Sequence, residues 1–87
     1  MIEVLYARYG ARYLHEVDDT EEAFRYIEGG EDAGEISSIG IFIDGEPAIW
    51  DGYRDTVEPD DEQRKVMIEE YKRAKETEAR NERENQR

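Results

Sequence analysis

Residues 36–50 read ISSIGIFIDGEPAIW, the most apolar run in a chain of 87 residues that carries a net charge of −12. Ile39, Ile41 and Ile43 alternate with Ser38, Gly40 and Phe42, the period of a strand. Asp44-Gly45 separates this run from Ala48-Ile49-Trp50. An Asp-Gly pair between two apolar runs marks a tight hairpin, because a type I′ turn needs positive φ at both central residues. In that register Ile43 faces Glu46, Ile41 faces Ala48 and Ile39 faces Trp50. One face then presents Ile39, Ile41, Ala48 and Trp50 to the core. Pro47 has no N–H to give to a ladder, so this last strand is expected at a sheet edge.

Working outward, Ile2–Tyr9 and Arg12–Val17 read as a second hairpin around Gly10-Ala11, rich in the residue types that suit a pleated surface. Its alternation is imperfect: Ile2, Val4 and Tyr6 share one face, while Leu5 and Tyr9 fall on the other. Burial on both faces, or a bulge near Gly10, accounts for that. Between the hairpins, Asp19 is placed to cap a helix with Glu22 as its reciprocal partner. Ala23, Phe24 and Ile27 mark the buried stripe, and Gly29-Gly30 is expected to end the helix. After Trp50, Asp51–Asp55 reads as a turn. Pro59 reads as the first position of a second helix, whose only apolar stripe is Val66, Met67, Tyr71 and Ala74.

The expected fold is α+β in the order ββαββα. Two hairpins form a four-stranded antiparallel sheet, one helix packs on it, and a long, partly solvated C-terminal helix either covers the sheet or projects from it. The expected compact domain is 1–75. Residues 76–87 hold a single apolar side chain, Ala79, and read as a charged tail, a fraying or disordered helix with too little to bury to offset its ordering entropy.

Composition narrows the function. With no cysteine and one histidine, His15, the usual nitrogen and sulfur metal sites cannot be built within one chain. The acidic runs at 51–55 and 58–62 lack the ligand spacing of a calcium loop. The glycines form no phosphate-cradling loop. A body this small offers no obvious cleft to separate the pKa values of a catalytic carboxylate pair. No enzyme activity, cofactor or metal is therefore expected. No apolar run reaches the ~20 residues of a membrane helix. MIEVLYARYG does not resemble a signal peptide, and the absence of cysteine suits the cytoplasm.

Charge is distributed unevenly. Residues 1–58 hold 15 carboxylates against four arginines, whereas residues 59–87 hold nine acidic and eight basic side chains. An anionic body repels nucleic acid and anionic membranes and attracts a basic partner protein. The chain also has six tyrosines and one tryptophan, residues that serve well as interface anchors. The expectation is a small acidic interaction module. Its sharper form is a regulator or inhibitor that presents carboxylates in place of phosphates. The candidate contact residues are Trp50, Tyr53, Asp51, Asp55, Tyr13 and Glu46. The rival is a self-associating structural or assembly protein, a monomer or weak homodimer joined through the Val66–Ala74 stripe. An arginine bias of nine to three lysines, with the size and acidity, is similar in composition alone to small accessory proteins of high-GC bacteria and their phages.

Overall fold

Asp44 and Gly45 both adopt the left-handed conformation, with φ of 51° and 84°. The hairpin they close joins β3 (Ser37–Ile43) to β4 (Glu46–Trp50). Its register pairs Ile43 with Glu46 and Ile41 with Ala48, as the turn chemistry dictates. The computed structural model describes residues 1–53 and 55–85. Tyr9 and Gly10, at φ 51° and 79°, form the same kind of turn between β1 (Ile2–Arg8) and β2 (Ala11–Val17), one residue earlier than expected.

The sheet has five antiparallel strands, not four, in the order β2-β1-β3-β4-β5. The added strand, β5 (Thr56–Val57), pairs only with Ile49 and Trp50. The element order is thus ββαβββα, with α1 (Thr20–Asp32) after β2 and α2 (Asp61–Asn85) at the end. β4 is consequently not an edge over its whole length. Pro47 pairs with Phe42 next to the turn, a position without ladder bonds between the two strands. Its nitrogen therefore faces outward, beyond the reach of β5.

Both helices pack on the sheet, on opposite faces, so α2 covers it. Val4 and Ile41 point to α1 and meet Val17, Ala23, Phe24 and Ile27. Their chain neighbours Leu5 and Phe42 point to α2 and meet Met67 and Ala74. Successive side chains on a strand face opposite ways, so β1 and β3 are buried on both sides. Ile39 does not join Ile41: the β1–β3 register slips between Leu5 and Tyr6, leaving Ile39 unpaired. This bulge turns Ile39 toward α2, and it sits in β3 rather than near Gly10. Gly40 lies beneath α2, where an added Cβ would collide with the Met67 methyl.

The helix ends are set by capping. Asp19 Oδ1 accepts from Glu22 N–H at 2.8 Å, while the Glu22 side chain accepts from Asp18 N–H. Gly29-Gly30 does not end α1. The helix runs on to Asp32 and closes at Gly34 (φ 69°), with Gly34 N–H donating to Glu31 O and Glu35 N–H to Gly30 O. Gly30 serves close packing: a Cβ there would lie 2.5 Å from Ile36 Cδ1. Pro59 lies outside α2. Asp60 is the cap, exchanging hydrogen bonds with Gln63 in both directions. Of the expected α2 stripe, Met67 and Ala74 are buried and Tyr71 stacks on Phe42, but Val66 is exposed. α2 continues to Asn85, and residues 86–87 lie outside the described residues.

Burial on both faces makes a specific demand on stability. Ile41→Ala and Phe42→Ala should each lower unfolding free energy by roughly 2–5 kcal/mol, measured by denaturant titration. A Phe42→Ala variant as stable as the parent would contradict the packing of α2 on the sheet.

Candidate functional site

Trp50, at the end of β4, carries the chain into the β4–β5 turn. Its ring stacks on Phe24 of α1, with centroids 5.2 Å apart. The indole Nε1–H is buried with no acceptor among the described residues. Trp50 therefore works as a core ring on the α1 face and as one wall of a cavity of about 310 Å³. Ile27, Glu31, Ser38 and Ile49 form other walls. Glu31 accepts a hydrogen bond from the Ser38 hydroxyl across that cavity.

The turn that follows is held by its own carboxylates. Asp51 Oδ1 accepts from the N–H groups of Tyr53 and Asp55, at 2.8 and 3.3 Å. Asp55 accepts from Thr56 N–H at 2.8 Å. Both acids thus have local structural work, as Asp residues in turns commonly do. Short β5 folds the turn back beside α1. Tyr53, 83% exposed, lines a notch of about 110 Å³ with Glu21, Phe24, Arg25 and Glu28.

Trp50, Asp51, Tyr53 and Asp55 are therefore brought together at the flank of α1. The other two candidates are not with them. Tyr13 lies on β2 and stacks on Tyr6, centroids 5.5 Å apart. Glu46 is bound to Arg64 of α2 at 2.7 Å. Residues that sequence reasoning left out of the site, Glu21, Arg25 and Glu28, complete the surface around Tyr53. Their signal was the charge of α1 and its flanks: residues 16–35 hold nine carboxylates and a single basic side chain, Arg25.

The opposite layer is electrostatically different. Arg12 Nε is 2.5 Å from Glu70, and Arg64 pairs with Glu46. Glu3, only 4% exposed under α2, accepts from Tyr71 OH at 3.0 Å and from Lys75 Nζ at 3.4 Å. Burial and the Glu3 bond raise the Tyr71 pKa. Burial pulls Lys75 down most strongly, but the charges of Glu3, Tyr71 and Glu78 and the Glu3 hydrogen bond together outweigh it, so its pKa ends above the ordinary lysine value. On the α1 face, Tyr26 stacks on His15 at 4.0 Å. Burial first, then its hydrogen bond with Tyr6, pushes the Tyr26 hydroxyl up to about 12.

Among the described residues, no three of His, Asp and Glu converge in a metal-binding group, and no described helix is long and apolar enough to cross a membrane. No protein-family model matches the chain, and neither a curated protein nor a solved structure matches it.

The raised groups fix an alkaline limit. A pKa higher in the folded state than in the unfolded chain adds stability below the unfolded value, and this is lost as pH climbs through the folded one. Tyr26 titrates near 12 in place of 10.0, and Tyr71 and Lys75 shift the same way. Stability should thus fall between about pH 10 and 12, and less so in Tyr26→Phe. Absorbance titration of the phenolates checks this: all six tyrosines ionising together near pH 10 would contradict it.

Proposed function

We propose that the protein is a non-enzymatic interaction module. A basic partner protein docks on the anionic outer face of α1, with exposed Tyr53 as the anchor at its flank. The observation that supports this most is the separation of charge by layer. The α1 side gathers carboxylates around Arg25, which pairs with Glu21 at 3.4 Å. The α2 side neutralises its own through Arg12, Arg64 and Lys75. An excess of carboxylates over cations steers a cationic partner, and an exposed aromatic ring beside them supplies contact area at low entropy cost.

Plain docking is favoured over imitation of a phosphate backbone. Glu21, Arg25, Glu28 and Asp32 follow one another at helical spacing along a single row of α1. Arg25 interrupts that row of negative charge, where a phosphate mimic needs it unbroken. The Val66–Ala74 stripe that could have joined two chains is largely used within its own domain, which also favours a separate partner.

Titrating isotope-labelled protein with a short oligo-arginine peptide tests the surface. Amide shifts should concentrate in residues 18–35 and 51–55 and weaken as salt rises. Tyr53→Ala should lower the affinity about fivefold with the melting temperature unchanged. Shifts spread evenly over the molecule, or centred on α2, would overturn the assignment.

A further inference from the structure

The two edges of the sheet are unlike. β5 is two residues long, whereas β2 runs seven residues, Ala11–Val17, pairing with β1 in unbroken register. Natural sheets blunt their edges with short strands, proline, bulges, charged side chains or a covering helix; β2 is long, unbroken and free of proline, α2 packs on one of its faces, and its two charged residues, Arg12 and Glu16, are of opposite sign. We infer that the β2 edge pairs with the same strand of a second copy, in an antiparallel two-fold register centred on Leu14.

The hydrogen-bond phase permits this register. Arg8 and Ala11 flank the two-residue turn and form a hydrogen-bonded pair. Alternation then assigns Ala11, Tyr13, His15 and Val17 to β1 and turns the N–H and C=O groups of Arg12, Leu14 and Glu16 outward. Turned away from β1, these three amides also meet no backbone acceptor outside the strands among the described residues. In a two-fold pairing about Leu14, the outward residues 12, 14 and 16 meet residues 16, 14 and 12 of the second copy, so each finds a ladder partner.

The side chains agree with the phase. Residues 11–17, ARYLHEV, are chemically symmetric about Leu14. Arg12, which keeps its Nε on Glu70 of its own chain, would lie across from Glu16, Tyr13 would face His15, Ala11 would face Val17, and Leu14 would face itself. Glu16 is exposed and makes no ion pair within the described residues. Opposite charges and aromatic pairs directly across an antiparallel ladder are stabilising. The location also suits two anionic chains: residues 4–15 contain no carboxylate and carry Arg8 and Arg12. The contact is isologous, so it closes at two copies rather than growing into a fibre. It leaves the α1–Tyr53 surface free and does not depend on the reading of that surface.

Sedimentation equilibrium of the full chain up to millimolar concentration, with amide hydrogen exchange at both extremes, tests the pairing. The expected result is a dimer in which Arg12, Leu14 and Glu16 amides slow with concentration, while those of Tyr13 and His15 are protected throughout. Glu16→Arg sets two arginines against each other twice per dimer and should weaken association about 10-fold with an unchanged circular dichroism spectrum. A monomer at millimolar concentration would overturn the inference. So would a dimer in which those three amides exchange as fast as in the monomer, whatever the variant does.

Discussion

Ile41 and Phe42 are neighbours in the chain, point in opposite directions, and are both almost wholly buried. The rest of the structure depends on that pair. A strand with large apolar groups on both faces cannot be satisfied by one helix, so α1 and α2 must each cover a side. β1 obeys the same constraint through Val4 and Leu5, and the two strands pair at the centre of the sheet. The buried Glu3 follows from it as well. It lies on the α2 side of β1, and Tyr71 and Lys75 both secure α2 and satisfy the carboxylate.

Local chemistry was legible in the sequence wherever one or two residues decide the conformation. The Asp44-Gly45 turn, the Asp19 cap and the Ala23–Phe24–Ile27 stripe are of this kind. What was not legible depends on contacts made across the fold. A run apolar on both faces looks like a one-sided strand with an unexplained Phe42, so the sequence leaves open whether α2 covers the sheet or projects from it. β5 has two residues and no pattern of its own. Gly30 looks like a stop signal until Ile36 is seen lying over it, and the bulge at Ile39 leaves no mark in the alternation of isoleucines.

The candidate site divides along the same line. Trp50, Asp51, Tyr53 and Asp55 come together because they are nearly consecutive. Their neighbourhood with Glu21 and Glu28 exists because β5 folds the turn back along α1, which no local pattern announces. Tyr13 and Glu46 were grouped with them by residue type alone. The fold places the first on the far edge strand and commits the second to Arg64. The uneven charge was visible in the sequence, but its physical meaning required knowing that α1 and α2 lie on opposite faces.

The central claim is therefore a difference in potential between two sides of one small domain. It can be measured without a partner, by comparing the relaxation enhancement of amide protons from a cationic and an anionic paramagnetic cosolute at low salt. Protons of α1 and of the Asp51–Tyr53 turn should be relaxed far more by the cationic probe, while those of α2 between Arg64 and Lys75 show little preference. Equal preference on both helices would contradict the separation of charge by layer.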